Sequence, residues 1–345
     1  MATCLFLGSG FSYELVRTPI QANFLKQVLA GKRKERIDFL KIVKMPLSKW
    51  MEKVGNIEVC MSHLHNLAYS ELATPGSKEK AKMAIINFRS AIRDYLLTQT
   101  KINREKMNLA FKFMDHINHN GDKFAVLTMN YDLLAENIIE QKYGENQYEY
   151  CDIPLRRVQL NGERRGAIPL FKLHGSINWM EERKDGEHHL KGGHPELIGV
   201  DPLYITESDS MIGESRNGYW IYRHTSRSPI YTPILIPFFH QKEEWLGQRW
   251  RCIFERHWAS AKQWICMNNV ETIYFVGYKL PDADSYVMSW LLSCLESIRN
   301  KKKTLPRIVI INKRENREKE PLEKALEPFC PHVDSFGLAH YVKNN

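Results

Sequence analysis

No two cysteines of this chain form a CxxC pair. The seven, at Cys4, Cys60, Cys151, Cys252, Cys266, Cys294 and Cys330, stand singly. Such dispersal excludes a four-cysteine zinc site and argues against a disulfide framework; reduced thiols in a cytoplasmic protein are expected. His188, His189 and His194 lie in a loop-like stretch without nearby cysteines, so no metal is expected. Nowhere do about 18 apolar residues run uninterrupted, and a transmembrane helix is not expected. The opening MATCLFLGSGFSYEL has neither a basic n-region nor a small-residue cleavage site, so it is read as a strand and turn, not a signal peptide. Internal repeats and low-complexity tracts are missing as well, which excludes a solenoid.

Positive charge is in excess: 49 Lys and Arg against 40 Asp and Glu give +9. Clusters at Lys32–Lys34, Arg156–Arg157, Arg164–Arg165 and Lys301–Lys303 suit a polyanion, or equally are solvated helix ends and loops. No zinc finger or aromatic-interleaved basic stripe accompanies them, so direct nucleic-acid binding stays open.

Short apolar runs at 3–8, 124–128, 170–173, 272–276 and 307–311 read as buried strands. Helical patterns follow from Ser12 to about Ala30, with an irregularity near Pro19, and at 132–142, 283–299 and 318–327. Alternation of this kind predicts an α/β fold, a Rossmann-like doubly wound parallel sheet. Residues 31–120 differ, with apolar residues at helical spacing in Ile37–Val43, Ile85–Leu97 and Ala110–Ile117. They predict a helical insertion into a domain made of 1–30 and 121–345. Residues 180–230 show weak periodicity and are read as loop-rich, or as a small subdomain over the sheet.

Polar or glycine-rich elements close each strand, where doubly wound sheets bind ligands. Gly8-Ser9-Gly10-Phe11-Ser12 permits a tight turn and close approach of a pyrophosphate to a helix N-terminus, although the third glycine of GxGxxG is replaced by Tyr13. Asn130 and Asp132 in TMNYD can bond ribose hydroxyls or place a water; either can also cap the next helix. His174, in KLHGSINW, can present an imidazole suited to accepting a proton near neutrality. Gly277, in VGYKLPDAD, and Asn312 close two further strands; Asp284 can equally cap the helix after it.

In this order the segments resemble the sirtuin family, specifically its bacterial anti-phage-defence branch of NAD-hydrolysing sirtuin-like proteins. GSGFS is similar to the family's GAGxS, TMNYD to T-x-N-x-D, and KLHGSINW to K-L-H-G-S-x-x-W. VGYKLPDADSYV is similar to G-[FY]-S-L-x-D-x-D, with Lys279 in place of the usual serine. The likeness spans about 4–30, 124–180 and 230–312, and leaves the helical insertion uncovered. It implies that Gly8, Ser9, Gly10 and Ser12 hold the phosphates of NAD. It further implies that Asn130 and Asp132 line the nicotinamide-ribose pocket, that His174 is catalytic, and that Gly277 and Asn312 lie on the adenosine side.

Two departures bear on activity. Protein deacylases of the family carry a zinc module with two CxxC pairs, absent here, and their F-G-E segment is replaced by Thr232-Pro233-Ile234-Leu235-Ile236-Pro237-Phe238. Both weigh against protein deacylation. The resemblance therefore implies an NAD glycohydrolase that releases nicotinamide and ADP-ribose, with NAD as substrate and no metal. NAD-dependent lysine deacylation and a non-catalytic nucleotide-sensing assembly subunit are the alternatives. A defence role would imply latent activity, a homo-oligomer, and a partner ATPase or nucleic-acid sensor.

Overall fold

Strands of this chain form where apolar residues run without interruption, because both faces of a parallel sheet are covered by helices. The structure, a computed structural model, describes residues 2–17, 57–98, 102–118, 123–144, 147–151, 156–157, 167–183, 203–204, 212–216, 219–223, 230–235, 248–281, 284–301, 304–314 and 318–344. The pattern at Ile37–Val43, the clusters at 32–34 and 164–165, and the histidines at 188, 189 and 194 lie outside the described residues.

In chain order the first elements are β1 (Ala2–Leu7), α1 (Ser9–Val16), α2 (Ile57–Tyr69), α3 (Pro75–Thr98) and α4 (Arg104–Ile117). Then come β2 (Lys123–Thr128), α5 (Leu134–Tyr143), β3 (Tyr148–Tyr150), β4 (Arg156–Arg157), β5 (Ile168–Lys172) and β6 (Gly175–Arg183). Short strands follow: β7 (Leu203–Tyr204), β8 (Ile212–Arg216), β9 (Tyr219–Arg223) and β10 (Ile230–Leu235). The chain continues through α6 (Gln248–Met267), β11 (Val270–Val276), α7 (Ser285–Lys301) and β12 (Arg307–Ile311). It closes with α8 (Pro321–Leu326), β13 (His332–Asp334) and α9 (Leu338–Asn344).

Seven strands form one parallel sheet in the order β13-β12-β11-β1-β2-β5-β3. Successive side chains of β1 point to opposite faces. Leu5 and Leu7 join Phe11, Phe113, Ile138 and Tyr341 beneath α1, α4, α5 and α9. Cys4 and Phe6 join Ala261, Ile265, Leu291 and Leu322 beneath α6, α7 and α8. The sheet is thus doubly wound and Rossmann-like, as its alternating strands and helices predict. From β1 the chain builds outward on one side through β2 and returns to β11 on the other, so the strand order reverses at β1. Crevices of this kind, at the carboxyl ends of the strands, are where such sheets take ligands.

Helix α1 starts at Ser9 and ends at Val16, where Arg17 turns left-handed at φ 62°. The sequence pattern from Ser12 to Ala30 is therefore not one helix. Residues 18–30 lie outside the described residues. Glu14 of α1 in turn tethers the far end of the chain. Its carboxylate accepts from the backbone N–H of Leu338 at 3.1 Å and of Ala339 at 3.0 Å, satisfying donors that the first turn of α9 cannot pair internally.

Residues 175–235 supply five strands of a second, six-stranded sheet, ordered β4-β7-β6-β10-β9-β8. Strands β7, β8 and β9 have two to five residues, too few for a period to show, and the sequence there reads as loop-rich or as a small subdomain. Helix α3 packs across β6, β9 and β10. Arg93 anchors it: this side chain is buried, and its Nε donates to the carbonyl of Ile177 on β6 at 3.1 Å. Arg93→Ala removes that donor and leaves the carbonyl buried. It is expected to cost about 1–3 kcal/mol in urea unfolding. Hydrogen exchange should quicken in α3 before it quickens in β1 and β2.

Candidate functional site

Parallel register sets the level of each strand end. Leu7 stands opposite Val276 and Thr128, and Val276 stands opposite Ile311. The residues that follow, Gly8, Gly277, Met129 and Asn312, are therefore level along one edge. Thr128 pairs with Lys172, so Asn130 and His174, each two residues further on, are level as well.

Two turns cross at this edge almost without space between them. A Cβ on Gly8 would lie 2.5 Å from the Gly277 carbonyl oxygen, and one on Gly10 would lie 2.8 Å from it. At Gly277, whose φ is +66°, a Cβ would meet the Phe11 nitrogen at 2.0 Å. Hydrogen bonds seal the crossing: Gly8 N–H donates to Val276 O at 3.0 Å, and Gly10 N–H to Gly277 O at 2.8 Å. The two amides thus join the turns together instead of pointing outward.

Beside the crossing, Asn130 is fixed in orientation by its neighbours. Its Nδ2 donates to Gly8 O at 2.9 Å and to Ser12 Oγ at 2.9 Å. Ser12 Oγ in turn donates to Asp132 Oδ2 at 2.7 Å, so it can only accept from Asn130. A carbonyl and a hydroxyl acting as acceptors demand the amide –NH₂, not its oxygen. Both Asn130 hydrogens are committed, which leaves Oδ1 as the atom able to accept from a ligand hydroxyl or a water. Asp132 is buried, and its other oxygen accepts from Leu134 N–H at 3.1 Å at the start of α5. Asp132 therefore holds the helix start and Ser12 together behind Asn130.

A buried ion pair supports this layer from below. Lys172 Nζ donates to the Asp132 carbonyl and lies 3.1 Å from Glu136 Oε1. Tyr150 OH donates to the same Glu136 oxygen at 2.7 Å, and Asn178 Nδ2 donates to Tyr150 OH at 3.1 Å. Lys172 is 0% exposed and Glu136 2%, so neither charge can be hydrated if its partner is removed.

His174 follows on the next strand end. Leu173 N–H donates to Thr128 O at 2.9 Å and Ile177 N–H to Tyr131 O at 3.0 Å, which docks the turn against the Asn130 segment. The imidazole is not open to solvent, since its side chain is 3% exposed. Its Nε2 lies 2.5 Å from Tyr286 Oη and 3.6 Å from Asp284 Oδ1. Tyr278 OH donates to Asp284 Oδ2 at 3.3 Å. Burial first, then the Asp284 carboxylate and the Tyr286 phenol, hold the Tyr278 hydroxyl well above the usual phenol range, so it stays protonated. Asn312 Nδ2 donates to the Tyr278 carbonyl at 2.8 Å; its Oδ1 is buried and has no partner among the described residues. Behind this layer, burial and then the neighbouring Cys266 push the Cys294 thiol up to about 12, and burial raises Cys4 further.

A family profile for the SIR2-like domain matches residues 125–329, more than half of the 345-residue chain. The chain belongs to the SIR2-like family. No curated protein matches its sequence. Among solved structures, one described as the structural basis of sirtuin substrate affinity is 12% identical, with a TM-score of 0.46 over 99% of this chain and 92% of that one. A histidine-to-asparagine mutant of a Sir2 homologue in complex with ADP-ribose gives 12% and 0.46, over 99% and 89%. A serine-to-alanine mutant of a Sir2 homologue with ADP-ribose gives 12% and 0.44, over the same shares. For this SIR2-like chain the strand order itself carries the fold assignment.

Every site residue singled out from sequence lies at or just beyond this edge. Gly8, Gly10 and Gly277 meet by backbone packing, and Ser12, Asn130 and Asp132 by hydrogen bonds. Ser9 opens α1, and Asn312 joins through Tyr278. His174 is bonded instead to the start of α7, with Tyr131 the nearest ring of the Asn130 segment at 6.3 Å between centroids. Sequence reasoning did not single out Lys172, Glu136, Tyr278 and Tyr286. Tyr278 and Tyr286 flank Asp284 in the quoted segment, but only the fold reveals their aim.

Two substitutions test the packing and the support. Gly277→Ala is expected to cost about 3–5 kcal/mol in chemical denaturation, because the clash is with backbone and φ is positive. Lys172→Met should cost about 3–5 kcal/mol by stranding Glu136, and Lys172→Met with Glu136→Gln should recover part of that loss.

Proposed function

We propose that this SIR2-like chain cleaves the nicotinamide–ribose bond of NAD+ by hydrolysis, giving nicotinamide and ADP-ribose. The observation that carries this reading is Asn130, locked at the reversal of strand order with both amide hydrogens committed and Oδ1 left to accept. The edge also suits a dinucleotide. Asn312 keeps a buried acceptor without a partner among the described residues. Ser9, at the N-terminus of α1, and the bare backbone beside it would take the phosphates, with Ser12 acting through Asn130. Gly277 and Asn312 would face the adenosine ribose. Asn130 would face the nicotinamide ribose, held there by Asp132.

Breaking the glycosidic bond builds positive charge on the ribose, as in other glycoside cleavages, while nicotinamide leaves neutral. Water oxygen bonds to the ribose carbon as the carbon–nitrogen bond breaks. Asn130 Oδ1 orients that water, and His174 accepts the proton it releases. Exclusion of bulk water and alignment of one nucleophile supply much of the remaining acceleration.

We further propose that the helical insertion read at 31–120 serves assembly through α2 and the turn after it, where Leu67 and Leu72 expose apolar side chains, while α4 packs on the parallel sheet. Depletion of NAD in anti-phage defence, held latent by oligomerisation or by a partner ATPase or nucleic-acid sensor, completes the reading.

Purified protein incubated with NAD+ and no acylated peptide should release nicotinamide. Asn130→Ala and His174→Ala should each lose about 10²–10⁴-fold in rate with unchanged circular dichroism. Wild-type rates in both variants would refute the roles. Strict dependence on an acylated peptide would instead indicate deacylation, and tight NAD binding without product a sensing subunit. Charge reversal on α2 should change the mass seen by light scattering before it changes NAD binding; an unaltered mass would remove the assembly role.

A further inference from the structure

Asp284 immediately precedes α7, and two duties compete for it. As a helix cap it would bond backbone donors of the first turn, a task that asparagine performs equally well. The structure also brings its Oδ1 to 3.6 Å from His174 Nε2, with both side chains buried: 3% of the imidazole and 1% of the carboxylate are exposed. Burial weakens screening by water, so the charge acts more strongly on the ring than it would at a surface.

We propose, resting on the NAD-cleaving reading, that Asp284 is the positioning residue for His174, with Tyr286 as its companion. Its carboxylate stabilises the imidazolium formed when His174 takes a proton, and with the Tyr286 hydroxyl it fixes which way Nε2 points. The surrounding groups are consistent with this duty. Tyr278 reaches Asp284 Oδ2 as a protonated donor, which leaves the carboxylate its charge. Lys172, the nearby cation on β5, is paired with Glu136. From the β2 side Tyr131 approaches His174 by its ring, 6.3 Å between centroids. Trp258 of α6 packs edge-on against Tyr286 at 5.2 Å and donates to Leu173 O at 3.1 Å, bracing both the phenol and the turn that carries His174.

The loop before Asp284 fits a positional constraint. Leu280 adopts φ 56°, a left-handed conformation that residues with a side chain disfavour. Local preference alone would not choose that turn at Leu280.

Asp284→Asn separates the two duties because it keeps the cap and removes the charge. Its melting temperature should remain near that of the wild type. The NMR titration of the His174 imidazole, identified by its loss in His174→Ala, should move to lower pH, since an anion beside the ring favours its protonated form. In turnover, kcat should fall at least about tenfold with KM little changed. The acidic limb of the rate–pH profile should follow the NMR midpoint downward, while Asp284→Glu, which restores the charge, should recover part of kcat. An unmoved imidazole titration in Asp284→Asn would overturn the pairing, and an unmoved kcat would overturn its role in turnover. The NMR arm needs no NAD, so a wild-type protein that releases no nicotinamide would count against the proposed reaction without deciding this contact.

Discussion

Gly277 and the Gly8–Gly10 turn meet backbone to backbone, and the geometry of the site follows from that contact. A single added carbon on either side would overlap main-chain atoms, so the separation between β1 and β11 at their ends is fixed by the peptide itself. Main-chain contact of this kind cannot be relieved by a rotamer change. It sets where α1 begins, hence where Ser12 stands, and through Ser12 the direction in which Asn130 presents its amide. On the other side it sets the direction in which the chain leaves β11, and Asp284, ahead of α7, lies 3.6 Å from His174.

Polar side chains buried around the crossing are arranged in two chains. One runs from Gly8 O through Asn130 and Ser12 to Asp132, whose carbonyl is bonded by Lys172; Glu136, Tyr150 and Asn178 follow. The other runs from Asn312 through Tyr278 to Asp284, His174 and Tyr286. Networks away from water are stiff when satisfied and costly when broken. Among the described residues the first leaves Asn178 Oδ1 buried without a partner, besides Asn130 Oδ1, and the second leaves Asn312 Oδ1 so.

The second sheet and α3 bear on the site indirectly. β6 begins one residue after His174, and Arg93 of α3 grips it at Ile177. The segment that carries the imidazole is thus held from two sides, by β2 through main-chain bonds and by the helical segment through a buried guanidinium. Any movement of α3 would be felt first at β6, the nearest continuous element to His174.

The sequence by itself determined the doubly wound sheet, the strand ends that carry polar residues, and the likeness to sirtuins. Long apolar strands at 123–128, 270–276 and 307–311 announce themselves because both faces are buried, and a turn that needs glycine excludes other residues. The short strands of the second sheet within 180–235 were hidden, since two to six residues set no readable period. Only the tertiary structure decided that the amides of Gly8 and Gly10 bond the β11 edge, that Asp132 stands behind Asn130 holding it, and that Asp284 and Tyr286 meet His174. The reason is distance along the chain. Ser12 and Asp132 are 120 residues apart, and His174 and Tyr286 are 112 apart. Such pairings leave no local pattern, because parallel strands and their crossover helices, not neighbouring residues, bring the partners together.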